Sequence, residues 1–224
     1  MRPFSTDCLV RNDWICGEYL RSRRPELAEA VTQHITLTGV SVAIGLALAV
    51  PLAFAARRLR LSQVVLGAAT IVYTIPSVAL FSFFIPFTGI SATTVVIGLV
   101  LYSLTILVRN SLAGLDAVSA DVREAARGMG MGPLRMMLRV ELPLAVPAIM
   151  AGVRIASVST VALTTVGGII GFGGLGNLIF DGLKTEFRAQ VLTASVLCVV
   201  LAVVADLTLL GVQRVVTPWQ RVAS

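Results

Sequence analysis

Long uncharged runs alternate along this chain with short segments rich in arginine. Residues 35–56 carry no charge. Residues 61–108 carry none either, which is too long for one crossing of a bilayer, and the turn-forming stretch Pro86-Phe87-Thr88-Gly89 divides them. Two more apolar runs follow, at 144–166 and 189–212, interrupted by Arg154 and Asp206 respectively. A membrane-spanning helix needs about 20 predominantly apolar residues. Backbone amides in lipid must be paired within the segment, so runs of this length form helices. The pattern predicts an all-α integral membrane protein with five transmembrane helices, near 35–56, 63–85, 92–108, 144–166 and 189–212. Residues 1–32 form an amino-terminal tail, 33–214 the membrane domain and 215–224 a second tail.

Composition agrees. Of 224 residues, 56% are hydrophobic and 13% charged, against about 25% charged in an average soluble domain; mean hydropathy is +0.89. The net charge of +6 would suit nucleic acid, but the arginines gather beside apolar runs, where they orient a protein in its membrane. Arg57, Arg58 and Arg60 follow the first span. Arg109, Arg123, Arg127, Arg135 and Arg139 follow the third, and Arg214 and Arg221 the fifth. With five spans these segments share one side, the cytoplasm, and the amino terminus is outside. Arg21, Arg23 and Arg24 run against that rule, among Asp7, Asp13, Glu18, Glu26 and Glu29. Residues 25–33 read either as a short helix on the membrane surface or as a solvated lead-in to the first span. His34 reads as interfacial. Cys8, Cys16 and Cys198 lack metal-site spacing; a Cys8–Cys16 disulfide is open, and Cys198 reads as a small core residue. No metal site is expected.

Residues 124–143, EAARGMGMGPLRMMLRVELP, form a polar island between two spans. Ser119 or Asp121 can cap a helix entering at Val122, and Glu124 in its first turn suits the positive helix end. Ala125 and Ala126 are small enough for another surface to approach. Gly128, Gly130 and Gly132 break the helix, and Pro133 opens a second one through Val140, with Leu134, Met137 and Leu138 facing the membrane domain. Such an element can insert into a partner's cleft and pass a rigid-body movement to the fourth span.

The island's spacing resembles the EAA loop of bacterial ABC-importer permeases, in Glu124, Ala125, Ala126, Gly130, Val140, Leu142 and Pro143. Valine at 140 stands where isoleucine is commoner. Residues 74–80, Leu101-Tyr102, Val108-Arg109-Asn110-Ser111 and residues 171–183 are similar to osmoprotectant permeases for glycine betaine, choline or carnitine. Ile106 departs from a common proline. The resemblance implies a type I (MetI-like) permease fold. It further implies an ATPase subunit docked on 119–143, a second permease (identical or a sister), an extracytoplasmic binding protein and a bacterial inner-membrane location. No GxxxxGK[ST] loop is present in the chain, so ATP and magnesium belong to the partner and no cofactor is expected here.

Tyr73, Thr74, Pro76, Ser77 and Tyr102 are candidates for the translocation path, since hydroxyls and freed carbonyls line polar routes and aromatic faces attract quaternary ammonium groups. The plainer alternative is a proline kink with hydroxyls bonded to their own backbone. Arg154 and Asp206 form a candidate intramembrane pair, either a switchable contact or a static brace. The glycine-rich segment 167–182 reads as an outer gate, a binding-protein dock or a flexible connector. A methionine-type permease and a non-transporting scaffold that recruits an ATPase are the competing readings.

Overall fold

The computed structural model describes residues 8–219, and among them all regular structure is helical. Asp7 and Arg221 lie outside the described residues. The chain runs α1 (Gly17–Ser22), α2 (Arg24–Arg58), α3 (Ser62–Thr74), α4 (Ser77–Thr88), α5 (Ala92–Asp116), α6 (Ala120–Gly128), α7 (Pro133–Met136), α8 (Leu142–Val166), α9 (Leu175–Lys184) and α10 (Arg188–Val216). A π-helical turn at Met137–Glu141 joins α7 to α8, and a 3-10 turn at Gly167–Ile170 follows α8. Arg24–Arg58, Ala92–Asp116, Pro133–Ile170 and Arg188–Val216 are long and apolar enough to cross a membrane, and the bent pair α3–α4 makes a fifth if counted as one.

The second span differs from the pattern expected along the sequence. The turn expected at Pro86–Gly89 is present, with α4 ending at Thr88, Gly89 capping it and α5 starting at Ala92, but a further break falls inside the second span, at Ile75-Pro76. The residue before a proline is pushed towards extended backbone, so Ile75 ends α3 and Pro76 caps α4. Pro86 lies in the last turn of α4, where little helix remains to be disrupted. The fourth span begins early: helical residues run without interruption from Pro133. Residues 25–33 are not a separate surface helix: they are the first turns of α2 and lead directly into the first span.

Contacts divide the chain into two units. The first holds residues up to Ser41, Ile75–Leu99 and Ser159–Val204. Its core joins Tyr19, Leu27, Ala30, Leu175, Leu178, Ala189 and Ala194, with a second cluster of Leu37, Phe81, Val95 and Leu99. Leu27 and Ala30, at helical spacing on α2, are buried here, which removes them from any membrane surface. Cys8 and Cys16 are disulfide-bonded. Asn12 donates to the Glu186 carbonyl at 2.8 Å and accepts from the Arg188 amide at 3.0 Å. Tyr19 meets Phe187 edge-on at 5.2 Å, so the amino-terminal segment is pinned to the α9–α10 turn. Cys198 is half-buried, its thiol 3.7 Å from the Thr165 hydroxyl.

His34 is fully buried in this unit, not interfacial. Its Nδ1 lies 3.1 Å from the Gly173 carbonyl and its Nε2 3.0 Å from that of Val161. The glycine-rich segment is correspondingly ordered. Asn177 accepts from the Gly173 amide at 2.8 Å and donates to the Gly171 carbonyl at 3.0 Å. Gly174 has φ +56 and ψ −115, and a Cβ there would lie 2.7 Å from the Cβ of His34.

The second unit holds Val42–Thr74, Val100–Val158 and residues from Ala205. Ala49 and Ala53 of α2 pack on Leu107, Val108, Leu112 and Leu115 of α5 and on Ala145, Ile149, Val153 and Ala156 of α8. Small residues set the spacing: a Cβ on Gly114 would come within 2.9 Å of the Ala145 carbonyl, as expected where helices approach closely in lipid.

Two glycine substitutions separate backbone strain from crowding. Gly171 is left-handed with open space around it, whereas Gly174 has both strain and neighbours. Gly174→Ala is expected to cost about 2 kcal/mol or more, and Gly171→Ala about 1 kcal/mol. Thermal midpoints of the detergent-solubilised protein check the order.

Candidate functional site

The polar island lies wholly in the second unit. Ser119 rather than Asp121 caps α6, its side chain accepting from the Val122 amide at 3.4 Å. Glu124 and Ala125 are exposed, while Ala126 is buried on the opposite side. The helix ends in a Schellman pattern: the Met131 amide donates to the Ala126 carbonyl at 3.1 Å and the Gly130 amide to that of Arg127 at 2.9 Å. Gly130 has φ +76. Glycine is needed there for its backbone, since a Cβ would meet nothing within 4 Å.

Pro133 opens α7, as its ring geometry suits a first helical position. The inward face differs from expectation: Met136 is buried, whereas Leu134 and Leu138 are exposed and Met137 is half-buried. Pro143 offers no amide to the Arg139 carbonyl, and its ring would crowd that carbonyl in a regular α-helix. The π turn over Met137–Glu141 relieves this, and an extra residue in a turn rotates the succeeding helix by about 100°. Val140, Leu142 and Pro143 are half-buried at the head of α8, and Glu141 is buried.

Glu141 is surrounded by arginine. Its Oε1 accepts from Arg57 Nη1 at 3.1 Å and lies 3.9 Å from Arg123 Nη1. Arg57 also reaches Asp116 Oδ1 through Nε at 3.0 Å. One chain of charges therefore links the ends of α2 and α5, the first turns of α6 and the π turn. Arg57, Arg58, Arg123, Arg127 and Glu141 line a cavity of about 580 Å³. Sequence reading takes these arginines as markers of membrane orientation and leaves Glu141 without a role. A lone carboxylate between Val140 and Leu142 is the signal that calls for a partner.

Arg154 and Asp206 do pair, in a bidentate contact with both bonds at 2.9 Å. Both side chains are partly exposed. Tyr73 and Tyr102 meet edge-on at 5.6 Å; Tyr102 is buried and Tyr73 exposed. The Thr74 hydroxyl donates to the Ile71 carbonyl at 2.7 Å, the plainer of its two expected uses. Pro76 and Ser77 belong to the other unit.

A multi-span helical chain carrying a capped polar helix between two spans has the build of the membrane subunit of an importer. The chain belongs to the family described as binding-protein-dependent transport system inner membrane component, whose model matches residues 41–222. It is therefore a multi-pass inner-membrane ABC permease, of a system that works with a binding protein. The choline transport system permease protein OpuBB of Bacillus subtilis is 34% identical over 90% of this chain and 93% of its own. The osmoprotectant import permease protein OsmW of Salmonella typhimurium is 37% identical over 89% of this chain and 96% of its own. A chain of the MetNI methionine ABC transporter, inward facing, superposes with TM-score 0.79 over 88% of this chain and 98% of its own. At 24% identity that likeness concerns the fold.

Removing one member of an ion pair strands the other, whereas removing both does not. Asp206→Asn is expected to lower the thermal midpoint more than the double replacement Asp206→Leu with Arg154→Met, measured on purified protein. Equal losses would show that Arg154 left without Asp206 carries no penalty, which would overturn this reading.

Proposed function

We propose that this chain is the permease subunit of an ATP-driven importer of quaternary ammonium solutes of the glycine betaine, choline and carnitine kind. Its docking helix α6 receives a separate ATPase subunit, which holds ATP and magnesium. Two permease subunits enclose the path, and an extracytoplasmic binding protein delivers the solute. The observation that carries the solute class is the identity to OpuBB and OsmW along nearly the whole chain; the methionine transporter shares only the fold.

The docking reading rests on the exposed Glu124–Ala125 edge, the buried Ala126 and the defined stop at Gly130. A helix held in this way presents one fixed face and moves as a body. Val140, Leu142 and Pro143 sit at the head of α8, where that movement arrives. Tyr73, exposed and packed edge-on against the buried Tyr102, offers an aromatic face to a trimethylammonium group, an attraction effective within about 6 Å of a ring centroid. Chemistry at the permease is limited to shape, charge and gating; the free energy of import comes from the ATPase.

Orientation has two independent supports. Arginine-rich segments follow alternate spans, which favours a cytoplasmic α6 and carboxyl terminus. The Cys8–Cys16 disulfide favours an amino terminus outside, where thiols are oxidised. In intact cells of a Cys198→Ser variant, a membrane-impermeant maleimide is expected to label the protein only after reduction. Labelling that requires opened cells would reverse the topology.

Reconstitution with the cognate ATPase and binding protein tests the function. ATP-dependent uptake of labelled choline or glycine betaine is expected, and ATPase recruitment without uptake of either would leave a scaffold. Glu124→Lys is expected to insert normally and to reduce uptake about tenfold or more, in line with coupling energies between sites.

A further inference from the structure

Glu141 stands outside the EAA pattern, yet among the described residues its carboxylate is the most enclosed charged group of the second unit. Its side chain is 5% exposed, against 20% for Arg57 and 22% for Arg123. A surface ion pair contributes little, but a buried carboxylate must keep its cationic partners. Removing them leaves a charge without solvent, so the groups that hold it move together. Its partners come from separate elements, Arg57 from the end of α2 and Arg123 from the first turns of α6. Arg57 is shared with Asp116 at the end of α5.

The covalent route from α6 to α8 is a poor lever. It passes through Gly128, Gly130 and Gly132, around which a Cβ would meet nothing. Open space beside these glycines leaves that backbone room to flex under a pull on α6. The route through Arg123 and Glu141 is short and enclosed. Glu141 is also the last residue of the π turn, directly before Leu142. Displacement of Arg123 therefore acts at the head of α8. The two contacts differ in tightness, 3.1 Å to Arg57 and 3.9 Å to Arg123. Arg123 lines the open cavity, which leaves it room to travel while Arg57 keeps the carboxylate compensated.

We propose that Glu141 is a positioning residue for coupling: with Arg123 it forms the link through which movement of the docked helix α6 reaches α8, while Arg57 and Asp116 anchor that link to α2 and α5. The inference rests on α6 being the ATPase dock. It assigns Glu141 no contact with solute or nucleotide.

The test uses the reconstituted transporter with its ATPase and binding protein, reading labelled choline uptake, ATP hydrolysis and ATPase co-purification together. Arg123→Gln is the informative variant, because Glu141 keeps Arg57 and the carboxylate stays paired. ATPase co-purification and basal hydrolysis are expected to persist, while ATP consumed per solute imported rises about tenfold. Glu141→Gln should shift the same ratio in the same direction, and Arg123→Lys should restore most of it. A wild-type ratio in Arg123→Gln overturns the proposal. So does loss of ATPase co-purification in that variant, which would make Arg123 a docking contact. Glu124→Lys separates the two levels. If it too imports normally, the docking reading itself fails; if it uncouples while Arg123→Gln does not, only the link fails.

Discussion

Inside a bilayer no water pairs with a backbone amide, so each crossing segment must close its own hydrogen bonds. That constraint accounts for the length of α2, α5, α8 and α10 and for the sites where polar groups occur. The break between α3 and α4 obeys it, since the Leu80 amide donates to the Pro76 carbonyl and the Thr74 hydroxyl returns to its own helix. Charges within the spans meet it by pairing, as Arg154 does with Asp206. Thr38 and Thr164 share a buried hydrogen bond, and the His34 ring reaches two carbonyls. A neutral imidazole carries one N–H, so it can donate to only one of them.

The same constraint decides what can be read along the chain. Apolar runs of spanning length mark α5, α8 and α10 because burial in lipid is written into each segment alone. Pro76 and Pro86 sit in equally apolar surroundings and act differently, because one lies mid-run and the other in a closing turn. The charged residues near Glu26 and Glu29 suggest a surface position. Leu27 and Ala30 are covered instead by residues from α9 and α10, more than a hundred positions away in sequence. His34 escapes recognition for that reason: its partners are backbone atoms of Val161 and Gly173, whose placement no local pattern reports.

The polar island shows the division within one site. Its motif residues are legible since each acts locally. Ala126 is small and buried, Gly130 supplies a left-handed stop, and Pro143 forces the wider turn before α8. What the motif omits is the charge cluster. Glu141, Arg57, Asp116 and Arg123 come from four elements, and only folding brings them together. The motif shapes the dock, and residues outside it tie the dock to the spans. Relatives could keep the same motif spacing and still differ in how stiffly the two are joined.

The amino-terminal clasp bears on the order in which the protein is made. Asn12 bonds to the backbone at Glu186 and Arg188, and Tyr19 packs on Phe187. The backbone partners of Asn12 lie 174 and 176 residues further on and do not exist until that much more chain has been synthesised. This segment thus waits for partners far along the chain, and its closure reports that the turn between α9 and α10 has arrived.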